Sequence, residues 1–431
     1  HNPFIYRVLR RSMDCAQTPK KMHNIGNGSC HQNRWAAVFL MCTTLYLIIK
    51  FLLVPTLTFQ IYSDESNGFQ PYHITPTARS NSSLEIAIVI ILTKGSIPTE
   101  YATALNTLEC YSALHGYRLI IEHDDRFSEC SIHMDKFFRR HCHTHKMMLE
   151  ELPQDSWVFF IDADNGIANP QRLIDDLIDP DYDIYLYNRF FNWEMAAQYL
   201  VKNNARGRDW VKQWAEFEFK VPASTHGSDN GALHVLMMNY LAPETKNSSG
   251  LAHECLSIWD RAGHIGHLFN MESCVRMVIG ERTYFPAQRV KIFPKTKSFA
   301  RDLWQLHSHW STEDFILHAV KERYLKVSSL DYLAHRFEKL RAALSDPSSD
   351  VVLPSPLNDA ASCDSVFPLL NKLNIDKCSN GSETWIMDSR LKINEKLHVQ
   401  MLEQMSDRIL KQQIHFMVNS DADPRRDQLF V

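Results

Sequence analysis

The chain has 431 residues, of which 45% are hydrophobic and 22% charged, enough for one large or two medium globular domains with a real core. A formal net charge of −4 excludes a general nucleic-acid binder, which needs a basic surface to neutralise phosphates. The charge is also uneven: residues 1–34 carry six Lys or Arg against Asp14 alone.

Trp35–Tyr62 follows as a long apolar run whose one charge is Lys50. A bilayer core needs about 20 apolar residues in a helix, and a basic flank on the N-terminal side directs that flank to the cytosol. The run therefore predicts a transmembrane signal-anchor, with 1–34 as a cytosolic tail and the rest of the chain lumenal. A cleaved secretory signal is the competing reading; the long basic leader and the lack of a small-x-small site favour the anchor. Residues 63–83 are polar and read as a stem. Asn81, Asn247 and Asn380 begin glycosylation triplets. Seven cysteines lie beyond the anchor, and Cys255–Cys274 and Cys363–Cys378 are the expected disulfides, because each closes a short loop in an oxidising compartment.

Leu84–Gly95 is a β-branched run suited to a strand buried on both faces. A helix is expected over Pro98–His115, a strand over Tyr117–His123, a helix over 132–151, and a third strand through WVFFIDAD, Trp157–Asp164. Asn169-Pro170 reads as a helix start, and Tyr182–Phe190 as another strand. This alternation predicts βαβ units and a mostly parallel sheet. The second half reads as helical: Arg208–Pro222, His226–Leu241, then two segments carrying Cys255 and Cys274. A strand and loop follow from Arg289, and Ser311–Tyr324 reads as a helix. Residues 326–431 read as a helical extension with a linker at 345–362 and a second amphipathic helix within 385–418.

Asp162 and Asp164 stand where a buried strand ends. Ligands in open α/β sheets bind outside the carboxyl ends of the strands, and strand alternation would put both aspartates on one side. Two carboxylates there suit a hard divalent cation. The plainer reading is a polar strand end; the apolar strand before and the Asn-Pro after favour the metal. His141, His143 and His145 do not share a helical face, which argues against zinc there.

The run from FFRRHCHTHK through WVFFIDADNGIANP to FNWEMAAQYLVKN, followed by EFEFKVPASTHGSDNGALH and LAHECLSIWDRAG, resembles a nematode-expanded family of uncharacterised glycosyltransferase-like membrane proteins. The resemblance covers roughly residues 84–325. That family is similar to the galactosyl- and xylosyltransferases of yeast mannan and plant xyloglucan synthesis. The resemblance implies a GT-A-like α/β catalytic domain in a type II Golgi or ER membrane protein. It implies Mn²⁺ or Mg²⁺ as cofactor, a nucleotide-sugar donor and a glycan or glycoprotein acceptor, with a homodimer open. Residue by residue, Asp162 and Asp164 match the Asp-x-Asp. His318 matches a late metal-ligating His, although Ala319 stands where the family pattern carries Gly. Asp229 and Asn230 match the catalytic Asp-Gln position. Asp162, Asp164, Lys146, Arg189 and Glu194 are the candidate donor-binding residues, with Trp193 suited to a sugar face. Against these stand a helix N-cap for Asp229, a buried histidine for His318 and a solvated helix face for Arg139, Arg140 and Lys146. Two rival functions are a non-catalytic glycan- or partner-binding protein on the same fold, and a haloacid-dehalogenase-type phosphatase. The latter would want a different sequence after the second aspartate.

Overall fold

The computed structural model describes residues 71–74, 83–189, 194–223, 228–242, 250–263, 265–280, 282–302, 310–322, 385–388 and 392–404, all within one compact unit spanning 68–431. The expected span Trp35–Tyr62, the three glycosylation asparagines, Cys363–Cys378, Trp193 and the linker 345–362 lie outside the described residues. Among the described residues no helix is long and apolar enough to cross a membrane.

Twelve strands form three sheets among these residues. The central one has seven strands: β2 (Ile86–Leu92), β3 (Arg118–His123), β4 (Trp157–Phe160), β6 (Ile184–Tyr187), β7 (Tyr199–Lys202), β8 (Tyr284–Phe285) and β9 (Val290–Phe293). Their order is β3-β2-β4-β7-β6-β9-β8. Alternate residues of β2 and β4 feed two cores: Ala87, Val89, Val158 and Phe160 enter one, and Ile88, Ile90, Trp157 and Phe159 the other. Burial on both faces explains why these strands read as unbroken apolar runs.

On one face pack α2 (Lys136–Glu150), α3 (Ala205–Glu216), α4 (Ser228–Leu241), α5 (Gly250–Asp260) and α6 (Ile265–Ile279). The other face carries α1 (Ala102–His115) and a small sheet of β10 (Ala300–Asp302), β11 (Ile316–His318) and β5 (Gly166–Ile167). A third pairing joins β1 (Pro71–Ile74), inside the expected stem, to β12 (Trp385–Asp388) antiparallel. Residues 385–388 are thus strand, and the helix expected in that region begins at 395 and is described to 404.

The sheet is mixed rather than mostly parallel. β2 is parallel to β3 and β4, and β6 to β9, but β7 runs antiparallel to both β4 and β6, and β8 to β9. An antiparallel return needs no crossover helix, so β7 follows β6 without the helical spacer that a βαβ pattern would announce.

Among the described residues, two expected helices give way to other structure. After Asn169-Pro170 the chain turns and ends in a 3-10 helix, Asp175–Leu177. Phe315 O takes the amides of Ala168 and Asn169, the Asn169 side chain donates to Thr312 O, and the Ile174 amide donates to the Tyr117 hydroxyl. These tertiary bonds replace the helical ladder. Within Ser311–Tyr324, Asp314 accepts from the Ser311 amide, and the apolar stretch Phe315–Leu317 is buried as β11. The polar start was a loop capping itself rather than a helix.

Cys255–Cys274 is bonded, with Cα atoms 5.4 Å apart, joining α5 to α6. A second bond, Cys130–Cys142, ties the 3-10 turn Ser128–Ile132 to α2; the sequence reading had not paired them. Cys110 is disulfide-bonded as well.

Candidate metal centre

β4 ends at Phe160, so Asp162 and Asp164 lie in the turn beyond it, and strand alternation is not what aligns them. The turn closes because Asn165 donates to Asp162 O from its backbone amide at 3.2 Å and from its side chain at 2.8 Å. Beyond it β5 pairs antiparallel with β11, and the Val320 amide donates to Asp164 O at 2.8 Å. β11 lies parallel to β10 with Asp302 opposite His318. Three distant segments are thereby brought to the mouth of the central sheet.

One ligand atom each from Asp162, Asp164 and His318 lies within 4.8 Å of the others. His318 Nε2 is 3.4 Å from Asp164 Oδ1 and 3.8 Å from Asp162 Oδ2. Ligand atoms about 2.1 Å from an octahedral cation lie about 3.0 Å apart when adjacent and about 4.2 Å when opposite, so these separations suit one shared ion.

The outer atom of every ligand is already engaged. Arg140 Nη1 bonds Asp162 Oδ1, Lys321 Nζ sits 3.2 Å from Asp164 Oδ2, and His318 Nδ1 is 2.7 Å from Asp302 Oδ1. Each therefore presents its other atom inward. Partners of this kind fix ligand orientation and tautomer in metal sites. Burial alone would depress His318, but the Asp164 and Asp302 carboxylates outweigh it and push the imidazole up to about 10. Burial opposes ionisation of Asp164, yet His318 and Lys321 hold its carboxyl well below the usual range. Arg189 and His318 do the same for Asp302. Two carboxylates and an imidazole gathered around one point are a donor set that suits a cation, which would take the place of the proton the imidazole otherwise carries there.

A second layer extends from this centre. Arg140 also donates to Asp229 Oδ2 at 2.6 Å, with His141 Nε2 3.3 Å from the same oxygen. Asp229 is 3% exposed and sits in the first turn of α4. Arg189 donates to Asp302 Oδ1 at 2.8 Å and to Glu194 at 3.2 Å, so both stand behind the His318–Asp302 pair. Burial raises the Glu194 carboxyl, with Arg189 pulling it back. Lys146 is elsewhere: its ammonium pairs with Glu129 and Glu150. Asn230 Oδ1 is buried and finds no partner among the described residues; the same holds for Gln198 Oε1, whose amide nitrogen reaches Asp162 Oδ2 at 3.5 Å.

Sequence reading missed Asp302 and Gln198 and favoured solvation for Arg140. Asp302 carries no local signal, because only the β10–β11 register puts it beside His318. Arg140 could have been suspected from its place one turn into a helix opening toward the sheet mouth, but an arginine in FFRRH looks the same whether buried or solvated.

Residues 108–334, more than half of the chain, match the model of a family described as "Protein of unknown function, DUF273". The matched region begins inside α1 and leaves out β2, which lies between β3 and β4. No curated protein matches the chain. A solved structure described as "crystal structure of a glycosyltransferase involved in the glycosylation of the major capsid of PBCV-1" is similar over 60% of this chain and 99% of its own, at 12% identity and a TM-score of 0.36.

Proposed function

We propose that this chain, which belongs to the DUF273 family of proteins of unknown function, is a divalent-cation-dependent glycosyltransferase. It would move a sugar from a nucleoside-diphosphate donor to a glycan or glycoprotein acceptor, on a GT-A-like catalytic domain. The observation that carries the reading is the convergence of Asp162 Oδ2, Asp164 Oδ1 and His318 Nε2, each held from behind by Arg140, Lys321 or Asp302. The motif order that resembles glycosyltransferases supports the same chemistry. Mn²⁺ is the cation proposed, Mg²⁺ being chemically close. Bound there, it supplies Lewis-acid charge against a leaving diphosphate. The chain's own residues do the rest. Asp162, Asp164 and His318 would hold the cation. Arg140 keeps Asp162 turned inward and links it to Asp229, so the donor and acceptor sides share one guanidinium. Asp229 and Asn230 orient the acceptor or the reacting sugar; the unpartnered Asn230 Oδ1 offers a place for a hydroxyl.

A lumenal position and an anchor at Trp35–Tyr62 belong to the same proposal. Two disulfides inside the described domain support an oxidising compartment, and protease treatment of sealed microsomes should spare this domain.

The test of function is Mn²⁺ titration by calorimetry, followed by a screen of nucleotide-sugar hydrolysis. Asp164→Asn keeps the shape and removes a ligand charge, so circular dichroism should be unchanged while Mn²⁺ affinity falls at least tenfold. Asp162→Asn should act more on donor turnover than on the ion. Parental affinity and turnover in Asp164→Asn would reduce the two aspartates to a strand end. Turnover of p-nitrophenyl phosphate with no nucleotide-sugar hydrolysis would favour the phosphatase.

A further inference from the structure

The segment that delivers His318 is held by a part of the chain beyond the family-matched region. Trp310 forms a parallel bridge to Lys392, and the Ile393 amide donates to Trp310 O at 2.8 Å. Thr312 Oγ1 donates to Glu395 at 2.5 Å. From the helix at 395–404, His398 enters the domain and is 2% exposed. Its Nδ1 lies 2.5 Å from Ser311 Oγ and its Nε2 3.6 Å from Asp314 Oδ1. A ring proton on Nε2 facing that carboxylate leaves Nδ1 to accept from the Ser311 hydroxyl. Asp314 in turn receives both Nε and Nη2 of Arg301, at 2.6 and 2.8 Å. Arg301 belongs to β10 and precedes Asp302, while Asp314 lies four residues before His318 at the end of β11. His398 thus grips Ser311 and Asp314, just ahead of the strand that carries His318, and Asp314 in turn holds the arginine next to its carboxylate partner, so a shift of residues 311–314 would move the proposed ligand.

We infer that residues 392–404 form a strap that positions His318, with His398 as the positioning residue. The inference uses the metal reading for one of its two readouts and stands on hydrogen bonds for the other. Freed from the strap, the Ser311–Asp314 loop gains alternatives, and the imidazole meets the ion in its binding geometry only part of the time. Apparent affinity falls by that fraction.

The experiment uses the full chain and Mn²⁺ alone as probe, with amide hydrogen exchange measured in parallel at Leu317 and Val320. Val320 donates to Asp164 O, so it reports whether β11 stays docked. His398→Ala should weaken Mn²⁺ binding about tenfold and speed both exchanges at an unchanged far-ultraviolet spectrum. His398→Asn, whose amide oxygen sits near the position of Nδ1, should recover part of the loss by accepting from Ser311. If His398→Ala fails to fold, Thr312→Val carries the test, since it removes one bond at a half-buried edge and should shift both readouts the same way by a smaller factor. Unchanged affinity and unchanged exchange in the folded variant would overturn the strap. Absence of Mn²⁺ binding by the parent would overturn the metal reading instead, and the exchange rates would still decide the strap.

Discussion

Ala319 has φ of +73° immediately after the proposed ligand His318. That left-handed turn lets Val320 reach back to Asp164 O, so the strain belongs to the site's geometry rather than to a loose loop. A Cβ in this region costs about 1–2 kcal/mol, and glycine gives back about 0.4–1 kcal/mol through the unfolded chain. Ala319→Gly should therefore stabilise the protein by about 0.5–1 kcal/mol, read as a higher denaturation midpoint with unchanged cation affinity. A lower midpoint would mean that the Ala methyl packs more than the turn strains. Gly166 shows the complementary constraint across β5 and β11: a Cβ there would meet Val320 Cγ2 at 3.3 Å.

At the level of elements, the site is made by strand pairing more than by helices. β10 and β11 run parallel in a register that sets Asp302 beside His318, and β5 pairs the other edge of β11 to the turn after Asp164. Asp302→Asn leaves an oxygen to accept from Nδ1–H but removes the charge that steadies the ring. Loss of such a partner costs about 10–100-fold in metal affinity, and calorimetric titration should show a drop in that range with β10 still paired. An unchanged affinity would mean that backbone register alone orients the imidazole. α2 acts differently: the Cys130–Cys142 bond pins it close to Arg140, whose guanidinium joins the aspartate turn to α4.

Across the whole molecule, the buried His141 and the half-buried His318 give stability opposite dependences on pH. His141 stacks on Trp214 at 3.9 Å between ring centroids, and burial lowers it from 6.5 to about 4, with Asp229 pulling the other way. Its folded pKa is depressed, so below 6.5 the unfolded chain binds the extra proton. Its contribution, about 3 kcal/mol by the linkage of pKa to stability, is lost as pH falls from 6.5 to 4. His318 is raised to about 10, so in the cation-free protein its contribution is complete below 6.5 and lost as pH rises through 10. Denaturation of the cation-free protein should therefore show these two contributions jointly greatest near pH 6.5. His141→Gln should flatten the acid limb alone. An acid limb as steep as the parent's would assign it to other groups. Much of this was legible beforehand. The sequence alone determined the buried strands β2 and β4, the helices between residues 205 and 279 and the Cys255–Cys274 pair, because apolar runs and amphipathic periods are local properties, while Asp162, Asp164 and His318 were singled out together through the family resemblance. Tertiary structure alone decided the antiparallel insertion of β7, the strand at Ile316–His318 where a helix start was read, and the strap at 392–404. It also decided the roles of Arg140 and Asp302, because their meaning lies in which distant carboxylate or imidazole each one faces, and that is set by pairing register and packing rather than by neighbours in the chain.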